Sequence, residues 1–180
     1  MKLSQIEGGD SEIRSYINLA IQGLGNETRT SLTLIRSISE HALQLAWDAE
    51  FPNGIPGKVQ AELTKDRGPN TSLDPRHLSR THDPGVKRRI LRQAVGGDLQ
   101  RQPKLTNKVT RPIVILIDHL HTLGNYGQHM NAIPSQQERP VDFLFCVSAC
   151  FAAITLFKRM VEDLVWRRDL RYLKEKSKVV

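Results

Sequence analysis

Cysteine is nearly missing from this chain. Cys146 and Cys150 are the only two in 180 residues, so a disulfide framework has no material. They stand one helical turn apart in an apolar run, which suits reduced, packed thiols in a reducing compartment rather than half of a metal site. Aromatic residues make up only 6% of the chain. None lies between Pro52 and Arg111, so stacking of unpaired bases has no support there. No apolar segment follows the lysine in MKLSQIEGGDSE, so no secretory signal is expected and a cytoplasmic location is. The sequons at Asn26 and Asn70 are then expected to carry no sugar. The apolar run from Phe143 to Phe157 falls short of the ~20 residues needed to cross a bilayer, so no membrane association is expected. There is no P-loop, dinucleotide fingerprint, zinc-protease motif or nucleophile elbow, and neither a cofactor nor a metal is called for.

What the chain does have is charge and helical periodicity. Lys and Arg number 26 against 19 Asp and Glu, a net charge of +7 and a pI near 9.7. That balance favours a polyanionic partner such as RNA or another nucleic acid. The length suits one domain with a real core. Asp10 can cap a first helix with Ile13, Tyr16, Ile17, Ala20, Ile21 and Leu24 on one side, closed by Gly25 and Asn26. A second helix, from Thr28 or Thr30 to about Ala49, presents Leu32, Ile35, Ile38, Ala42, Leu45 and Ala49. It also carries Arg36 and Glu40 one turn apart, a spacing that on a solvated face is worth a few tenths of a kcal/mol.

From Pro52 to Lys108 prolines and glycines interrupt every long periodic segment, which marks an insertion. Short helices are expected around Lys58 to Lys65 and Val86 to Val95. The second holds the basic cluster Lys87, Arg88, Arg89 and Arg92, a candidate phosphate-contacting element. Asp74, His77, His82 and Asp83 are metal-ligating types, but loop spacing with Pro75 and Pro84 gives them no rigid geometry. A final helix is expected from about Asp142 to Lys176, with Phe143, Val147, Cys150, Ile154, Phe157, Val161 and Leu164 as its seam and a basic tail.

Thr110 to Met130, TRPIVILIDHLHTLGNYGQHM, is the most informative stretch. At about 100° per residue, Ile113, Leu116, Ile117, Leu120, Leu123, Gly124 and Gly127 share one side, and Arg111, Asp118, His121, Asn125 and His129 the other. The two glycines allow close approach of a neighbour, at about 0.8–1.0 kcal/mol each relative to Ala. His121 and His129 beside Asp118 are the types that serve as general acid and base in RNA cleavage by its own 2′-hydroxyl. Arg111 lies too far from His129 to help, so catalysis requires an arginine from another helix or protomer. The simpler reading has Asn125 and His129 hydrogen-bonding a neighbouring helix.

LTLIRSISEHAL, then LIDHLHTLGNYGQH, then a long apolar helix resembles the HEPN superfamily, in particular HEPN-like domains attached to restriction and defence proteins. Arg36, Glu40, Leu123, Gly124, Asn125 and His129 match its pattern of Arg, three residues, Glu, followed by Leu, Gly-Asn, three residues, His. The resemblance implies a helical domain that pairs at a dimer interface and, in its ribonuclease members, an arginine shortly before the histidine and no metal. Here Gly124 stands where that arginine is expected, which implies a non-catalytic member. The Arg-to-His spacings at Arg36 to His41 and Arg76 to His82 are of the kind that arise by chance in an arginine-rich chain.

The sequence therefore predicts an all-α, up-and-down bundle of four to five helices over residues 1–180, with 52–108 as a Pro/Gly-rich, irregular, basic insertion. The function expected is a non-catalytic module binding nucleic acid, a nucleotide or a partner protein, in a prokaryotic defence or toxin-antitoxin setting, and forming a homodimer. Two alternatives remain: a metal-independent endoribonuclease acting through His129, His121 and Asn125 at a dimer interface, and a structural protein for an acidic partner.

Overall fold

The structure, a computed structural model of the chain, describes residues 11–24, 28–65, 74–96, 104–130 and 140–161; the side chains of 11, 28, 29, 127–130 and 140–143 are outside the description. The described residues form seven helices: α1 (Ser11–Gln22), α2 (Thr28–Glu50), α3 (Gly57–Thr64), α4 (Pro75–Leu78), α5 (Pro84–Ala94), α6 (Arg111–Met130) and α7 (Pro140–Met160). The protein is all-α, as the periodicity predicts. The Asp10 cap, the Gly25-Asn26 stop, Leu164 and the basic tail lie outside the described residues. Two compact units are present, one of Met1–Ala42 with Leu116–Val180 and one of Leu43–Ile115.

The first unit is a four-helix bundle whose contacts close a ring. Ser31 Oγ, fully buried, donates to the Ala20 carbonyl at 2.9 Å, and Glu12 lies 3.5 Å from His41 Nδ1. The end of α1 therefore meets the start of α2, and its start meets Glu12's partner two turns and more further along: the helices run antiparallel. Arg14 near the start of α1 sits over the Phe157 ring late in α7, 5.7 Å from its centroid. Tyr126 late in α6 meets Phe145 early in α7 edge-on, with centroids 5.3 Å apart. These pairings alternate helix direction, the up-and-down arrangement.

The core of this unit comprises Ile13, Ile17 and Ala20 of α1, Leu32, Ile35 and Ile38 of α2, Ile117 and Leu120 of α6, and Cys146, Ala149, Cys150, Ala153, Leu156 and Phe157 of α7. The α7 seam is rotated from the expected one. Val147 and Ile154 are only half-buried, and Phe143 is outside the description. Cys150, Phe157 and Val161 of the expected seam are buried, and Cys146, Ala149, Ala153, Leu156 and Met160 join them on the inward side. Both cysteines are buried thiols; hydrogen bonding to Cys146, with burial second, pushes the Cys150 thiol up, so it stays protonated.

The second unit has its own core: Leu43, Ala46, Trp47 and Phe51 from α2 and its exit, Ile55, Leu63 of α3, Val86, Ile90, Leu91 and Ala94 of α5, and Val109, Ile113 and Val114. The described part of 52–108 thus holds three helices, of which α3 and α5 contribute to this apolar interior while α4 buries no residue. Asp83 caps α5, its carboxylate accepting from the Gly85 and Val86 amides at 2.7 and 3.4 Å, and Pro84 follows at the first helical position, where its missing N–H costs nothing.

Candidate functional site

In the first unit, the motif residues of α2 and α6 meet. A Cβ built on Gly124 would stand 2.5 Å from Arg36 Cβ and 2.7 Å from its Cα and amide nitrogen. No real Cβ tolerates this, so α6 approaches the α2 backbone at a point where only glycine fits. The place where the sequence pattern expects an arginine therefore has no room for any side chain. Arg36 Nε donates to Glu40 Oε1 at 2.8 Å, with the Arg36 side chain 31% exposed. One position after Gly124, the Asn125 amide nitrogen lies 2.9 Å from His121 Nε2. With the amide donating, the imidazole accepts at Nε2 and keeps its proton at Nδ1. Asp118 is half-buried one turn earlier, Arg111 is half-buried at the start of α6, and His129 is in the last turn of α6 with its side chain outside the described residues.

In the second unit, α5 separates the basic cluster. Val86, Ile90, Leu91 and Ala94 are buried on one side. At 100° per residue, Arg88, Arg89 and Arg92 fall on the opposite side, with Arg89 and Arg92 exposed and Arg88 half-buried. Lys87 turns the other way. Its ammonium donates to Gln44 Oε1 at 2.5 Å and lies 5.6 Å from the Trp47 ring centroid, a cation–π arrangement that holds α5 to α2. Trp47 is itself packed edge-on against Phe51 at 5.1 Å.

The residues of metal-ligating type have other work. Asp74 caps α4 and takes a two-pronged ion pair from Arg76, with contacts of 2.6 to 3.1 Å. The hydrogen bonds from Arg76 hold its carboxyl down at about 2. Asp83 is held below the usual carboxylate range by the Gly85 amide and lies 3.5 Å from Arg80. His77 is half-buried and His82 exposed.

Sequence reasoning missed Glu50. Its two carboxylate oxygens accept from the Asn107, Lys108 and Val109 amides at 2.8, 2.8 and 2.9 Å, fixing the segment that leads into α6. Three successive amides turned toward one carboxylate make an anion nest, and no local motif announces a partner 57 residues away.

The unit boundary also divides the charge. Leu43–Ile115 contains thirteen Lys and Arg against seven Asp and Glu, +6 of the whole chain's +7. Asp74 and Asp83 offset Arg76 and Arg80 locally, whereas α5 has no acidic residue at all. Fold and site together define an all-helical protein with one nearly neutral and one strongly basic unit. No family model, no curated protein and no solved structure matches the chain, and no described helix is long and apolar enough to cross a membrane.

Proposed function

We propose that this protein is a HEPN-like, non-catalytic module that binds nucleic acid through the exposed arginines of α5, in a prokaryotic defence or toxin-antitoxin setting. The observation that carries this reading is the segregation of charge: nearly all the net positive charge belongs to the unit that displays Arg89 and Arg92 on a helix with no carboxylate. Three features support the non-catalytic half. Gly124 has no space for an arginine, Arg36 is tied to Glu40, and His121 Nε2 is occupied by Asn125. A 2′-hydroxyl would find no guanidinium clamp at position 124, and Nε2 of His121 is already engaged by the Asn125 amide.

The test is binding of a labelled nucleic-acid pool as a function of salt. Affinity is expected to fall steeply with ionic strength, and Arg89→Glu with Arg92→Glu to flatten the slope by about one per arginine. Salt-independent binding, or binding indifferent to the two arginines, overturns the reading. Incubation with RNA in chelator checks the other half: cleavage that disappears in His129→Ala would make the protein a metal-independent endoribonuclease.

The homodimer is proposed to form through α7. Leu144 and Phe151 are 63% and 68% exposed on its outer face, with Ser148 between them and Ala152 beside them. Small residues between large apolar ones let a second copy of the helix approach.

A further inference from the structure

We infer that the α5 face takes the paired phosphate backbone of a duplex in preference to an unpaired strand; this rests on the nucleic-acid reading above and names its ligand class. Proteins that hold single strands combine a basic surface with aromatic rings on which bases stack. The basic unit has two aromatic residues in its whole sequence, Trp47 and Phe51. Both are buried, 6% and 4% exposed, and both are already engaged, with each other and with Lys87. No ring in this unit is left to receive a base. The exposed rings among the described residues, Tyr126, Phe145 and Phe151, belong to the other unit.

What α5 offers is charge in a compact arrangement. Arg88, Arg89 and Arg92 lie within one helical turn, on an arc of about 100°, while the opposite arc is buried and immobilised by the core. Guanidinium groups on neighbouring helical positions pair naturally with phosphate oxygens. A ligand recognised by its backbone alone is held most tightly where phosphate density is highest, and a duplex carries one charge per ~1.7 Å of axis, twice that of one strand. The difference can be estimated. For about three arginine contacts, the salt exponents of duplex and single strand, ~0.9 and ~0.7 per contact, differ by ~0.6, so two affinities that meet at about 1 M salt separate to about a sixfold preference near 0.05 M.

The experiment is fluorescence anisotropy with the full-length chain, a labelled 20-base-pair DNA duplex, an RNA duplex of the same sequence, and each labelled strand alone. Wild type is compared with Arg89→Gln/Arg92→Gln, a neutral pair at exposed positions that spares the fold, which circular dichroism verifies. The expected result is duplex binding about sixfold tighter than the matching single strand, lost together with the arginines; whichever duplex binds more tightly names the source. Single strands bound as tightly as duplexes, with the arginine dependence intact, overturn the duplex inference and leave the binding reading standing. No binding by wild type, or binding unaffected by the double substitution, overturns both.

Discussion

Gly124 of α6 lies against the backbone of Arg36 of α2, so closely that a single added methyl would stand 2.5 Å from Arg36 Cβ. Helix propensity alone favours Gly→Ala by about 0.8–1.0 kcal/mol. Here the methyl meets a rigid helix backbone, and overpacking of this kind costs about 1–3 kcal/mol. Gly124→Ala is therefore expected to lower stability in urea denaturation, and Gly124→Arg, which places an arginine five residues before His129, to unfold the bundle rather than create a nuclease. A stabilised alanine variant would show that the two helices do not approach this closely.

Glu50 ties together residues that are far apart in sequence through three backbone hydrogen bonds to one carboxylate. Bonds to a charged acceptor contribute about 1.5–3 kcal/mol each at best, and partial exposure lets water replace some of them. Glu50→Ala is expected to cost about 2–3 kcal/mol overall, and Glu50→Gln less, because an amide oxygen still accepts. Equal loss in both variants would assign the effect to the charge and not to the bonds.

The two aspartate caps make the segment around α4 and α5 sensitive to acid. Both carboxyls lie below their ordinary value of 3.8 when folded, Asp74 at about 2. A depressed folded pKa means that the folded state binds its proton later than the unfolded chain does. The stabilisation is therefore complete above pH 3.8 and is lost as pH falls toward 2. Carboxyl titration by NMR is the check, with Asp74→Asn removing its share of the dependence. A midpoint for Asp74 at or above 3.8 would show that the Arg76 pair does not persist in solution.

Much of this fold was legible because amphipathic helices record their buried side at 100° per residue. Ile13, Ile17 and Ala20, then Leu32, Ile35, Ile38 and Ala42, then Ile113, Ile117 and Leu120 are all in the core, and the helices that carry them begin and end within a few residues of the expected bounds. The same rule turns Lys87 away from Arg88, Arg89 and Arg92, although adjacency in sequence groups all four. In α7 the pattern gives no direction, because a helix apolar on every side leaves hydropathy nothing to distinguish. There the close packing of neighbours decides, and it buries Ala149 and Ala153 while exposing Phe151. The Gly124–Arg36 contact and the Glu50 clamp join residues dozens of positions apart. Such contacts depend on how elements meet, which periodicity within one element does not encode.

The outer face of α7 yields the last prediction, and magnitudes set its form. Full burial of a leucine or phenylalanine contributes about 1.5–3 kcal/mol, so Leu144 and Phe151, each about two-thirds exposed, supply about 4–8 kcal/mol from two copies. Association costs an estimated 4–15 kcal/mol in lost freedom. The two nearly balance, so the dimer is expected to be weak and concentration-dependent, monomeric at low micromolar protein and assembling only toward ~100 µM and above. Phe151→Asp places a charge in the middle of that face and is expected to hold the protein monomeric throughout, with helicity unchanged, because the side chain makes little contact with its own bundle. Light scattering across the concentration range separates the outcomes. A wild-type mass that stays monomeric, or an unaltered dimer in Phe151→Asp, would remove α7 from the interface.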